Sequence, residues 1–130
     1  MISIKEILLD SLKDVIDYPV VSAYPNANIV PICVIQEEAN TSTYKEKNFV
    51  EIAYVEFRFI LIDNDIDRLN SNINKLDEYL VDLNFSRILY NEYQTIQSCR
   101  GVTLVYSADL KVDLRNPDTI KICKTLLRRC

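Results

Sequence analysis

One stretch constrains this chain more than any other: F-V-E-I-A-Y-V-E-F-R-F-I-L-I-D, residues 49–63, which contains no Gly and no Pro. β-Branched and aromatic residues dominate it, the composition of a strand. Because successive strand side chains point to opposite faces, one face carries Ala53, Val55, Phe57, Phe59 and Leu61. The other carries Ile52, Tyr54, Glu56, Arg58, Ile60 and Ile62. The first set is wholly apolar and needs a packed layer against it. The second is mixed and brings Glu56 and Arg58 onto one face beside Tyr54, where they form either a surface ion pair or charges at a subunit boundary. A strand of about 14 residues at ~3.3 Å each runs roughly 46 Å. A domain of this size has a radius of gyration near ~14 Å and a diameter of about 36 Å. The strand is therefore expected to bend sharply or to overhang its own domain, where it could pair with or pack on a neighbouring copy.

The chain has 130 residues, enough for one domain (1–130) with a real core. Its apolar content of 48% and charged content of 26% are those of an ordinary globular protein. No apolar run approaches the ~20 residues of a membrane span. Lys5, Glu6 and Asp10 interrupt the apolar N-terminus, so a signal peptide is not expected. With no His there is no Ser-His or Cys-His nucleophile system, and with one Gly there is no phosphate-cradling loop. The lack of Trp removes the usual sugar-stacking platform. Cys33, Cys99, Cys123 and Cys130 form no C-x-x-C pair, which favours idle thiols over a zinc site. Charge is uneven. Residues 1–110 hold 9 basic and 17 acidic side chains, whereas 111–130 hold 6 basic and 2 acidic. The acidic body argues against tight binding to nucleic-acid phosphates, and the basic tail suits an acidic neighbour, including another copy of the chain.

In chain order, Ser3 to Glu6 matches a capping box ahead of Ile4, Ile7, Leu8, Leu12, Val15 and Ile16, which fall at helical spacing. The helix should stop before Pro19, and residues 18–29 read as loop. Residues 30–36 read as a short strand with Pro31 near its start or on an edge. Residues 37–48 are polar and without periodicity, and are expected to be a linking arm. Asp65 is the expected N-cap of the clearest helix, whose stripe is Ile66, Leu69, Ile73, Leu76, Leu80 and Leu83. Phe57, Phe59, Leu76 and Leu80 should meet between sheet and helix. Asn84 suits a left-handed stop. Strands are expected over 85–97 and 102–114, and Thr119–Cys123 is open between helix and strand. The sum is an α+β fold: an antiparallel-rich four-stranded sheet with two helices on one face, in the order α-β-β-α-β-β, with a short C-terminal extension over 115–130. Asp63, Asp65 and Asp67 mimic the start of a calcium loop. Arg68 and Asn74 stand where Gly and Glu are needed, so these acids read as helix caps. Tyr44, Tyr90 and Tyr93 lie in polar stretches, where Tyr suits an interface, with core packing the alternative for the last two.

Three phrases carry a family resemblance over roughly residues 4–113. V-E-F-R-F-I-L-I-D-N, Val55 to Asn64, resembles the central strand of the tail-terminator (tail-completion) proteins of tailed phages and phage-tail-like particles. Leu83-Asn84-Phe85-Ser86-Arg87 resembles that family's helix exit, with Asn84 in place of Gly. V-T-L-V-Y-S-A-D-L, Val102 to Leu110, resembles its closing strand. The resemblance implies a structural protein with no catalytic activity, metal or cofactor. Such a protein forms a ring, typically of six, on the head-proximal end of the tail tube, with sheets towards the lumen and helices outside. It ends tube polymerisation and presents the surface that joins a head or collar. The implied partners are other copies of the chain, the tail tube protein, and sheath, connector or collar proteins. Neither membrane nor tightly bound nucleic acid is implied, although DNA would traverse the lumen. Assembly would take place in the host cytoplasm and the product would be part of a virion tail or tail-like particle. The candidate interface residues are Tyr44, Lys45 and Lys47 on the polar arm, Tyr54, Glu56 and Arg58 on the long strand, and Arg128 and Arg129 in the tail. Two alternatives stay open on the residues alone. One is a small Mg²⁺-dependent enzyme using Glu51, Glu56 and the 63–67 acids; the other is a monomeric binding module or assembly chaperone.

Overall fold

The computed structural model describes residues 4–23, 30–46, 50–94, 99–113 and 120–122; within 42–46, 50–52, 94, 111–113 and 120–122 only the backbone is described. Two helices and six strands follow in the order α1 (Ile4–Leu12), β1 (Val20–Val21), β2 (Ile32–Glu46), β3 (Val50–Asp63), α2 (Ile66–Asp82), β4 (Ser86–Gln94), β5 (Arg100–Asp113) and β6 (Ile120–Ile122). The sheet runs β1-β2-β3-β5-β4, and β6 shares with β4 the second edge of β5. The β1–β2 pair is parallel and every other pair antiparallel, so the sheet is mixed. The α+β class and the two helices agree with expectation. The four-strand count does not, because β1 and β6 are two- and three-residue strands defined only by the neighbours they pair with.

The long strand lies at the centre. β3 pairs with β2 from Ile32↔Ile62 to Glu46↔Val50, and with β5 from Asp63↔Arg100 to Val50↔Asp113. Both of its edges are thus occupied along their full length, and the expected overhang towards a neighbour does not exist. Three strands of 15, 14 and 14 residues share the excess length instead. The expected linking arm at 37–48 is also corrected, since through Glu46 it is the continuation of β2. Two register shifts, between Glu37 and Ala39 and between Ser42 and Tyr44, explain why it shows no strand pattern. Each bulge inserts one residue and reverses the alternation of faces. Two reversals within a few residues erase the period of two that betrays a strand.

The core forms on one face of this sheet. Ala53, Val55, Phe57, Phe59 and Leu61 are buried together with Ile4, Leu8 and Leu12 of α1 and Leu69, Ile73, Leu76 and Leu80 of α2. Phe57, Phe59, Leu76 and Leu80, expected to pack together, all belong to this cluster and are fully buried. Phe85 meets Phe57 edge-on at 6.5 Å and Tyr106 meets Phe59 at 5.7 Å, within the range where such ring pairs attract. α1 ends at Leu12, short of Pro19, because Asp14, Val15 and Ile16 turn back on Ser11 and Leu12 and bury Ile16. α2 begins as expected: the Asp65 carboxylate accepts from the Asp67 and Arg68 N–H groups. It stops at Asn84, whose φ of 66° is left-handed, with the Phe85 N–H donating to Leu80 O at 2.9 Å. That 6→1 bond and the buried Phe85 make a Schellman-type stop.

Part of the basic extension is ordered against the chain's own sheet. Ile120–Ile122 pairs with Leu110–Val112, which settles the choice between helix and strand there. The expected cap at Ser3 lies outside the described residues.

Candidate functional site

The sheet face opposite the helices divides into two halves. Towards the β3 C-terminus, Ile32, Val34 and Ile60 are buried, with Val21, Ile62 and Tyr93 packed against them. Gly101, the chain's one glycine, belongs here: a Cβ on it would lie 2.4 Å from Tyr93 Cζ. Its value is close approach, since its φ is not positive. Towards the β3 N-terminus the same face becomes polar. The cross-strand partners of Tyr54, Glu56 and Arg58 on β5 are Asp109, Ser107 and Val105.

The structure therefore brings Tyr54, Glu56 and Arg58 onto one half-exposed face, as the strand period requires. It does not pair Glu56 with Arg58. Tyr54 Oη donates to Glu56 Oε1 at 2.6 Å, and this bond to a carboxylate holds the phenol above its ordinary pKa. Arg58 Nε instead lies 2.8 Å from Glu38 Oε1 as an ion pair, though its N–H is not aligned for a hydrogen bond. Glu38 reaches Arg58 because it is the inserted residue of the first β2 bulge. Both side chains are more than a third exposed, so solvent screens the attraction. The other candidate residues are not placed. The Tyr44 and Lys45 side chains, and Lys47, Arg128 and Arg129 entirely, lie outside the described residues.

A surface that sequence reasoning missed is β4. It is the outermost strand on its side, and among the described residues nothing pairs with its outer edge. Ile88, Leu89 and Tyr90 are 53%, 44% and 44% exposed. Arg87 sits over the Tyr90 ring at 5.5 Å and contacts Asp77 of α2 at 3.4 Å, while the Tyr106 hydroxyl donates to the same carboxylate at 2.6 Å. Burial, then the Asp77 bond, pushes the Tyr106 phenol upward. The signal was available: R-I-L-Y breaks alternation with three consecutive apolar-bodied residues, which a strand can place only at a bulge or on an exposed edge. The register shift between Arg87 and Leu89 makes Ile88 that bulge. Tyr90 is exposed, as an interface residue would be, whereas Tyr93 packs on the smaller apolar cluster.

The 63–67 acids form a junction between elements. Asp63 is buried and accepts from Arg68 Nε at 2.7 Å, Arg68 Nη2 at 2.6 Å, the Asp65 N–H at 3.0 Å and the Tyr18 hydroxyl. Burial alone would raise its pKa, but these donors outweigh it and bring the carboxyl down to about 2. Both Asp63 oxygens are thus engaged, and Asp65 is spent on the helix cap. Next to it, buried Asn72 donates to Arg68 O at 2.9 Å and accepts from the Asp17 N–H at 2.8 Å. Among the described residues no group of three or more acids and cysteines could hold a metal ion, and no helix is long and apolar enough to cross a membrane. An open recess of about 280 Å³ at the β4–β5 end is lined by Glu92, Tyr93, Arg100, Gly101 and Val102. That volume lies below the usual ~300–1,000 Å³ of small-molecule sites. Cys33 is buried, which pushes its thiol up to about 12 and makes it a poor nucleophile.

In comparisons with known proteins, no protein-family model and no curated sequence matches this chain.

Proposed function

We propose that this chain is a structural assembly protein. On this reading it closes into a ring, of six copies, that caps the head-proximal end of a phage or phage-like tail tube, ends tube growth and offers the joining surface for a head or collar. The observation that carries the reading is the combination of a long sheet with an exposed apolar edge. Isolated domains normally blunt an edge strand with Lys, Pro, a bulge or brevity. β4 has nine residues and neither Lys nor Pro, and its bulge at Ile88 still leaves Ile88, Leu89 and Tyr90 in solvent. Such an edge is suited to contact with another chain. The polar half of the opposite face supports the reading in a second way. Its Arg58 and Glu56 are already partnered within the protomer, so it tolerates water, as a lumen wall must. The tail-terminator phrases around Val55–Asn64, Leu83–Arg87 and Val102–Leu110 supply the particular kind of assembly. The tube protein is then the second partner.

The test is electron microscopy of particles assembled without this chain. Tails of uncontrolled length, or tails that never join a head or collar, are expected. Finished tails of normal length would refute the reading.

A further inference from the structure

We infer that successive copies join sheet to sheet, the outer edge of β4 in one copy pairing with the outer edge of β2 in the next. The inference rests on the ring reading for its closure, and it specifies which surfaces make the contact. The central strand is excluded, because β2 and β5 occupy both of its edges. Among the described residues the outer edges of β1 and β6 are open but only two and three residues long. The long open edges are β4 and β2 beyond Val34, since β1 covers only Cys33 and Val34.

Three features make these edges complementary. The first is direction. β3 runs opposite to β2 and β5, and β4 runs opposite to β5. A second copy set beside the first in the same orientation therefore brings its β2 antiparallel to β4, so the alternation continues across the boundary. The second is side-chain size. Beyond Glu37 the β2 edge carries Ala39 and Thr41, small side chains on the sheet face that also carries Leu89, which leave room for it. The third is register. Through the sheet, Asn91 lies level with Val34, by way of Thr103 and Ile60. A contact without stagger would run β4 into the stretch that β1 already covers. The neighbour's β2 must therefore slide so that β4 meets its uncovered part, towards Glu46. A stagger of this kind at each junction is what a sheet requires when it closes on itself. A two-fold contact of β4 with β4 would instead make dimers and leave β2 unpaired.

The experiment uses the full chain with p-benzoylphenylalanine in place of Tyr90, an aromatic-for-aromatic change at an exposed site. Its oligomeric mass is followed by light scattering from micromolar to millimolar concentration, and photo-cross-links are mapped by mass spectrometry. Cross-links from position 90 to residues 35–46 of a second copy are expected. In parallel, Ile88→Lys should reduce the assembled mass to that of one copy while the thermal midpoint of the fold stays within about 2 °C. If the chain assembles but cross-links fall within 86–94 or on the helices, or Ile88→Lys leaves the mass unchanged, the edge pairing is wrong and the ring reading stands. A single-copy mass for the unmodified chain across the whole range overturns the ring reading and the pairing together.

Discussion

Replacing Asp63 by Asn removes a charge that four donors converge on. In the folded protein the carboxyl titrates near 2, against an ordinary 3.8. At about 1.36 kcal/mol per pH unit, that difference favours the folded state by about 2 to 3 kcal/mol at neutral pH. Because the folded-state value is the lower one, this stability is fully present above about pH 5 and is lost as pH falls through 3.8 towards 2. Asp63→Asn keeps the volume but puts an amide NH₂ against the Arg68 guanidinium or the Tyr18 hydroxyl, so a loss of about 2 to 4 kcal/mol is expected at pH 7. With a urea slope of ~1.5 kcal/mol per molar, the midpoint should move down by roughly 1.3 to 2.7 M. Arg68 is 41% exposed, so added salt should shave part of this. The assay is urea unfolding of both proteins at equal concentration from pH 7 to pH 2.5. Titrations of the other carboxylates largely cancel in the difference between the two, so the gap should narrow steadily below pH 4. A gap that stays constant down to pH 2.5 would show that the Asp63 charge carries no differential stability, and would refute this account of the junction.

Three further outcomes are expected from the same unfolding assay. Leu76→Ala, at a fully buried position between α2 and the sheet, should cost ~2–5 kcal/mol, and a loss under about 0.5 kcal/mol would mean that α2 does not present this face to the core. Gly101→Ala should cost about 1–2 kcal/mol by displacing the Tyr93 ring; in a Tyr93→Ala background it should cost almost nothing, and an unchanged cost there would reject the close-approach explanation. Asn84→Ala, at a left-handed φ of 66°, should lose about 1 kcal/mol while Asn84→Gly is neutral or better, and equal losses for the two would remove the backbone argument.

The parts of this fold legible in the sequence were those with an undisturbed period. The 3, 4, 3, 4, 3 spacing of α2, with Asp65 before it and Asn84 after it, gave a helix within a residue of Ile66–Asp82. Val50–Asp63 kept its alternation along its whole length and was legible as a strand. The failures have physical causes. Both bulges of β2 fall in its polar half, where no apolar face is left to mark the change of phase. The length of the central strand was visible, but the equal length of β2 and β5 was not, because pairing register is a non-local property. Arg58 was legible as a charge on the mixed face. Its partner Glu38 was not, since a bulge decides which way Glu38 points. The β4 edge was readable only as a fault in alternation, and Arg87–Tyr90 had to be seen in three dimensions before its exposure gave it meaning.

These corrections relocate the energy of assembly on the proposed reading. A contact made by the sheet face would have to break Arg58 from Glu38 and Tyr54 from Glu56, or bury those pairs intact. Burying an ion pair returns little, because desolvation of both charges opposes the attraction that remains. A contact made by edges breaks no interaction of the protomer, and it satisfies backbone groups that otherwise bond only to water. Each edge hydrogen bond returns only about 1 kcal/mol net, so the bonds mainly set direction and register. The larger driving force is the removal of Ile88, Leu89 and Tyr90 from solvent, at roughly 25 cal/mol for each Å² of apolar surface covered. The substitutions that weaken assembly should therefore cluster on β4. Reversal of Arg58 to Glu should leave copy number largely unchanged and alter the charge of the open face. Loss of assembly on Arg58→Glu, with Ile88→Lys silent, would move the contact from the edges to the face.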